Sequence, residues 1–103
     1  MSKVILDECL PRRFCGLLIG HDVVTVPQAG FAGYKNGRLL ASIESGFDVF
    51  VTMDGNLEYQ QNLVGVSIGI VVIESDSNRL ESLTTKVASV LNEIAIVKPG
   101  ETW

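Results

Sequence analysis

KVILDECLPRRFCGLLIGHDVVTV (residues 3–26) runs from one short apolar stretch to another, with a helix-like stretch between them. Lys3 to Leu6 reads as a buried strand, and it stops at two adjacent carboxylates, Asp7 and Glu8. Leu10, Phe14, Leu17 and Leu18 then recur at the spacing of one helix face. Pro11 suits the first turn of that helix, where a missing N–H is harmless. Gly20 closes it, and HDVVTV (21–26) makes a second strand. Consecutive strands joined through a helix are parallel.

The rest of the chain repeats the pattern. PQAGFAGYKNG (27–37) is a loop rich in glycine. A second helix follows, with Leu39, Leu40 and Ile43 turned inward and Gly46 as its stop. DVFVT (48–52) is a third strand leading to Asp54, and GNLEYQQNL (55–63) is too short and polar for more than a helical turn or two. GVSIGIVVI (65–73) is apolar enough for a strand covered on both faces. Asn78 and Glu81 are spaced as N-cap and N3 of a last helix. Its inward stripe would be Leu80, Leu83, Val87, Leu91 and Ile94, and IAIV (94–97) would add a short edge strand. The expected architecture is α/β, one domain over residues 1–103, with a mainly parallel sheet of four or five strands and helices on both faces.

Composition narrows the classes. With 103 residues, 47% of them hydrophobic and 19% charged, the chain has material for a core and is not of disordered type. No apolar stretch is long enough to span a membrane. The start MSKVILDE lacks the pattern of a secretory leader, so a cytoplasmic protein is expected. The net charge of −4 excludes general electrostatic attraction to nucleic acid, leaving local patches only. Cys9 and Cys15, six apart on the first helix, would face different ways. That spacing argues against a disulfide or a CxxC site and for two small buried hydrophobes.

Right-handed crossovers bring the carboxyl ends of all parallel strands to one edge, where ligands bind in such sheets. Asp7, Glu8 and Asp54 are expected there. Adjacent carboxylates repel unless solvent, a helix N-terminus or a cation offsets the repulsion. Glu8 is suited to a helix N-terminus. Together the three acids are suited to a hard divalent cation such as Mg²⁺, which can activate water against a phosphodiester. His21 is the sole histidine, which leaves no Ser–His–Asp or Cys–His system, and it is expected to shape the turn into the second strand. Arg12, Arg13, Lys35 and Arg38 are candidates for a basic rim around the acidic edge that contacts phosphates, or for ordinary solvated charge. AGFAG (29–33) lacks the lysine of a phosphate loop.

Three motifs in order, LDECLP (6–11), GHDVVTV (20–26) and VFVTMD (49–54), resemble a short PIN-like domain family related to the VapC-type toxins. The resemblance covers nearly the whole chain. It implies a PIN-like three-layer sandwich and a metal-dependent endoribonuclease using Mg²⁺ or Mn²⁺. It further implies an RNA substrate, a cognate antitoxin as protein partner and a homodimer. Carried over residue by residue, Asp7 and Asp54 are metal-binding acids, Glu8 is a catalytic acid beside the first, and Thr52 is a supporting hydroxyl. Two positions where the family commonly has acids hold amides here, Asn36 and Asn56. Asn36 is also suited to capping its helix.

Two other functions compete. The amides motivate a PIN-like binding module that has lost catalysis. Acids after the first and third strands, Ser75 after the fourth and Lys98-Pro99 near the end echo a receiver-like phosphoacceptor domain, against which Asp54 comes late after its strand.

Overall fold

In the computed structural model, residues 2–34, 36–53, 68–75, 77 and 79–98 are described, with the backbone alone at 36 and 37. Four strands form one sheet: β1 (Lys3–Leu6), β2 (Asp22–Thr25), β3 (Val49–Thr52) and β4 (Gly69–Val72). All pairings are parallel, in the order β2-β1-β3-β4. In the central strands successive side chains alternate between two covered faces. Val4, Leu6, Val49, Val51 and Val71 enter one core, with Leu10, Phe14, Leu18, Leu83, Val90 and Ile94. Ile5, Phe50 and Ile70 enter the other, with Leu39, Leu40 and Ile43 of helix α1 (Asn36–Ile43). The sheet therefore sits between two helical layers.

The connections β1→β2 and β2→β3 run in opposite lateral directions. A common crossover hand then requires opposite faces. This is what is found: the first passes over the Phe14 face and the second, through α1, over the Phe50 face.

Both ends of the sheet are tied by loop groups. At the amino edge Asp48 N–H donates to the Lys3 carbonyl and Asp48 Oδ2 accepts from Lys3 N–H, each over 2.8 Å. The Asp48 carbonyl accepts from Gly69 N–H over 3.0 Å, so one residue fastens three strands. Ser2 N–H donates to His21 Nδ1 over 3.2 Å, which gives His21 the turn-shaping role read from its position.

Several local expectations are corrected. The segment after β1 is a 3-10 helix, Arg12–Leu17, with Pro11 just outside it. Asp7 to Leu10 first forms a separate turn, Leu10 N–H donating to the Asp7 carbonyl over 3.0 Å, and the six residues after Pro11 take the short 3-10 form. Leu10, Phe14 and Leu18 are buried all the same.

The expected last helix is two, α2 (Leu80–Thr84) and α3 (Val87–Ile96). They break where the hydroxyls of Thr84 and Thr85 donate to the carbonyls of Leu80 and Ser82, over 2.7 and 2.8 Å, competing with the backbone ladder. Val90, absent from the expected stripe, is buried beside Leu83 and Ile94, whereas Leu80, Val87 and Leu91 are half-buried. IAIV is not a strand, because α3 continues through Ile96.

The residue before α2 is Arg79, not Asn78, which lies outside the described residues. Ser77 Oγ accepts from Arg79 N–H over 3.0 Å, and Glu81 pairs with Arg79 at 3.7 Å. The expected cap Asn36 is the first residue within α1. Among the described residues no helix is long and apolar enough to cross a membrane. GNLEYQQNL and residues 65–67 of the fourth apolar run lie outside the described residues.

Candidate functional site

From β1 the chain leaves towards β2, and from β3 it leaves towards β4, on the other side of the sheet. The crevice between β1 and β3 is thus the point where strand order reverses, the usual ligand position in an open parallel sheet. Asp7 follows β1 at this point and Thr52 ends β3.

The ladder brings them together. Asp7 N–H donates to the Val51 carbonyl over 2.9 Å, carrying the β1–β3 pairing one residue past the strand. Thr52, fully buried, donates its hydroxyl to Asp7 Oδ2 over 2.7 Å. Asp7 Oδ1 accepts from Glu8 N–H over 2.8 Å. An ionised carboxylate offers roughly four lone-pair positions, so these two bonds orient Asp7 and leave acceptor capacity on both oxygens.

Glu8 is differently engaged. It lies outside the 3-10 helix, so the helix-terminus role is corrected. Its Oε1 accepts from Gly33 N–H over 2.7 Å, tying the turn after β1 to the loop after β2. Gly33 has φ +83°, a conformation that favours glycine, and this is how the loop presents its N–H there.

Cys9 is the residue that sequence reasoning missed. It was expected on a helix and buried, but it sits exposed in the Asp7–Leu10 turn. Its sulfur end is nonetheless drawn in beside Asp7 and Thr52. Desolvation raises the thiol pKa and the Asp7 charge adds to the rise, while bonds to Met53 N–H and the Thr52 hydroxyl oppose both. The signal available was Pro11, which favours an extended residue at Leu10 and so a turn, not a helix, through Cys9. Cys15 is half-buried against the Phe14 core; burial raises its pKa and Arg12 lowers it. Among the described residues neither cysteine is in a disulfide.

The basic candidates do not gather on the acids. Arg12 and Arg13 are exposed on the 3-10 helix. Arg38 is exposed on α1, its guanidinium 4.0 Å from the centre of the Tyr34 ring, and Tyr34 in turn meets Phe31 edge-on at 5.4 Å. None forms an ion pair with Asp7 or Glu8 among the described residues. Lys35, Asp54 and Asn56 lie outside the described residues, and of Asn36 the backbone alone is described. Among the described residues no three of His, Cys, Asp and Glu gather as a metal site.

No family model matches the chain, and no curated protein or solved structure matches it.

Proposed function

We propose that the chain is a Mg²⁺- or Mn²⁺-dependent endoribonuclease of the PIN type, the toxin of a toxin–antitoxin pair. The observation that carries the reading is Asp7 at the β1/β3 reversal, its carboxylate braced by the buried Thr52 hydroxyl. The motifs LDECLP, GHDVVTV and VFVTMD support it by resemblance.

The donors at this point are carboxylate and hydroxyl oxygens, the kind that hard cations take. Asp7 would hold the ion, together with Asp54 two residues after Thr52 in sequence. Such an ion, when bound, supplies charge neutralisation and an acidified water for attack on phosphorus. The chain's own part is positional. Thr52 and the Glu8 N–H fix both Asp7 oxygens, and Glu8 holds the flanking loop through Gly33. Arg12, Arg13, Lys35 and Arg38 are the proposed phosphate contacts. The antitoxin and a second copy of the chain are the proposed protein partners.

The test is RNA cleavage with Mn²⁺ or Mg²⁺ by the wild type, Asp7→Asn and Asp54→Asn. Loss of cleavage in both variants is expected; equal activity in all three overturns the assignment.

The amides Asn36 and Asn56 favour a second reading, a PIN-like module that binds RNA or protein without cutting. It is expected to bind Mn²⁺ weakly and to release no product. Stoichiometric Mn²⁺ binding that Asp7→Asn abolishes, measured by calorimetry, decides against it.

A further inference from the structure

An open cleft of about 760 Å³, within the size range of small-molecule sites, begins at Met53, the residue after Thr52. Its apolar lining residues are Met53 directly after β3 and Val72 and Ile73 at the end of β4. Ile73 N–H donates to the Thr52 carbonyl over 2.8 Å, so this part of the lining is bonded to the strand end that braces Asp7.

The rim is polar. Ser75 reaches it from the segment after β4; Ser82, Thr85 and Lys86 reach it from the α2–α3 junction. Lys86 forms no ion pair among the described residues. It also directly precedes α3, where the helix carries partial positive charge. Cation and dipole act together on that side. Glu74 lines the same cleft and supplies an acceptor of opposite sign.

A lining that combines apolar side chains, one cation and a separate carboxylate matches a mononucleotide unit better than an isolated phosphate. We propose that this cleft is a nucleotide subsite of the RNA-cleaving centre. A base lies on Met53 and Ile73, a phosphate meets Lys86, and Glu74 accepts from an exocyclic amine or a ribose hydroxyl. Continuity through Met53 and Thr52 places the subsite next to Asp7. The inference rests on the nuclease reading, and its experiment separates the two.

The full chain is titrated without metal with adenosine 5′-monophosphate, cytidine 5′-monophosphate and inorganic phosphate, followed by amide NMR shifts. Both nucleotides are expected to shift Met53, Ile73 and Ser82, and phosphate alone to bind more weakly. Lys86→Ala is expected to weaken nucleotide binding about tenfold, the scale of one charge-assisted hydrogen bond. Lys86→Arg, which keeps the charge, is expected to restore binding. Retained far-UV circular dichroism in each variant excludes unfolding as the cause. Absence of nucleotide binding, or equal binding by wild type and Lys86→Ala, overturns the subsite. Nucleotide binding that behaves as expected in a chain that cuts no RNA overturns the nuclease reading alone. RNA cleavage whose KM is untouched by Lys86→Ala overturns the subsite alone.

Discussion

The Thr52 hydroxyl donates to Asp7 Oδ2 over 2.7 Å, joining the carboxyl ends of β1 and β3 across 45 residues of chain. The bond holds an acid in one orientation at the point where the connections of the sheet diverge. Replacing Thr52 by the isosteric valine removes the donor and keeps the volume. The expected loss is about 1 kcal/mol of stability, measured by urea unfolding, because Asp7 retains the Glu8 N–H. Thr52→Ser should lose little of the bond. A double-mutant cycle with Asp7→Ala should return a coupling of about 1 kcal/mol; additive losses would mean the two side chains act independently.

Cys9 supplies a pH prediction. Desolvation first, and then repulsion from Asp7, hold its thiol above the ordinary value of 9.0. A group whose pKa rises on folding stabilises the fold fully below its unfolded pKa and loses that contribution as pH climbs through the folded one. Stability should therefore fall as pH rises above 9.0, and part of that fall should vanish in Cys9→Ala. Cys15, raised chiefly by burial, supplies a further part. Asp7→Asn removes the repulsion and should speed alkylation of Cys9 by iodoacetamide at fixed pH. An unchanged rate would place the thiol away from Asp7.

Glu8 is expected to act as a loop anchor through Gly33. Glu8→Gln keeps a carbonyl acceptor for the Gly33 N–H and should leave its hydrogen exchange slow. Glu8→Ala should speed it and cost about 0.5–1.5 kcal/mol, the net worth of one hydrogen bond. If Glu8 instead takes part in the cleavage step, Glu8→Gln should remove activity while that exchange stays slow.

Gly69 opens β4 where the chain after α3 crosses it. A Cβ there would lie 2.9 Å from Val97 Cγ1 and 3.3 Å from the Lys98 carbonyl oxygen. Gly69→Ala should destabilise by about 1–3 kcal/mol through overpacking. Val97→Ala in the same chain should recover part of the loss, and the backbone carbonyl should prevent full recovery. Comparison of urea midpoints reads both effects.

Most of the sheet was legible because its signal is local. Lys3–Leu6 carries its strand in four residues, and β3 and β4 are apolar on both faces because helices cover both. Helix α1 was legible from Leu39, Leu40 and Ile43. The Phe14 segment illustrates the limit of periodicity. The same side chains are buried in a 3-10 helix as would be in an α-helix, so the spacing finds the core and misses the backbone. In the last helix the apolar stripe is continuous across Thr84 and Thr85, while their hydroxyls interrupt the hydrogen bonding it seemed to promise. The position of Asp7 directly after an apolar strand was legible. Cys9 was not, because its environment is made by Thr52 and Met53 from another strand.

By itself, then, the sequence determined which segments alternate, which faces are apolar and that Asp7 stands at the end of the first strand, since these depend on neighbours a few positions away. The strand order was decided only in three dimensions, by packing one helical layer against each face. That order sets β1 between β2 and β3, and the site's contacts follow from it and from the helices packed on the sheet. Thr52 braces Asp7, the Cys9 thiol is drawn in beside them, Glu8 is turned to Gly33, and the Lys86 cleft opens past Met53. Each is a contact between residues far apart in the chain, and no local pattern encodes it.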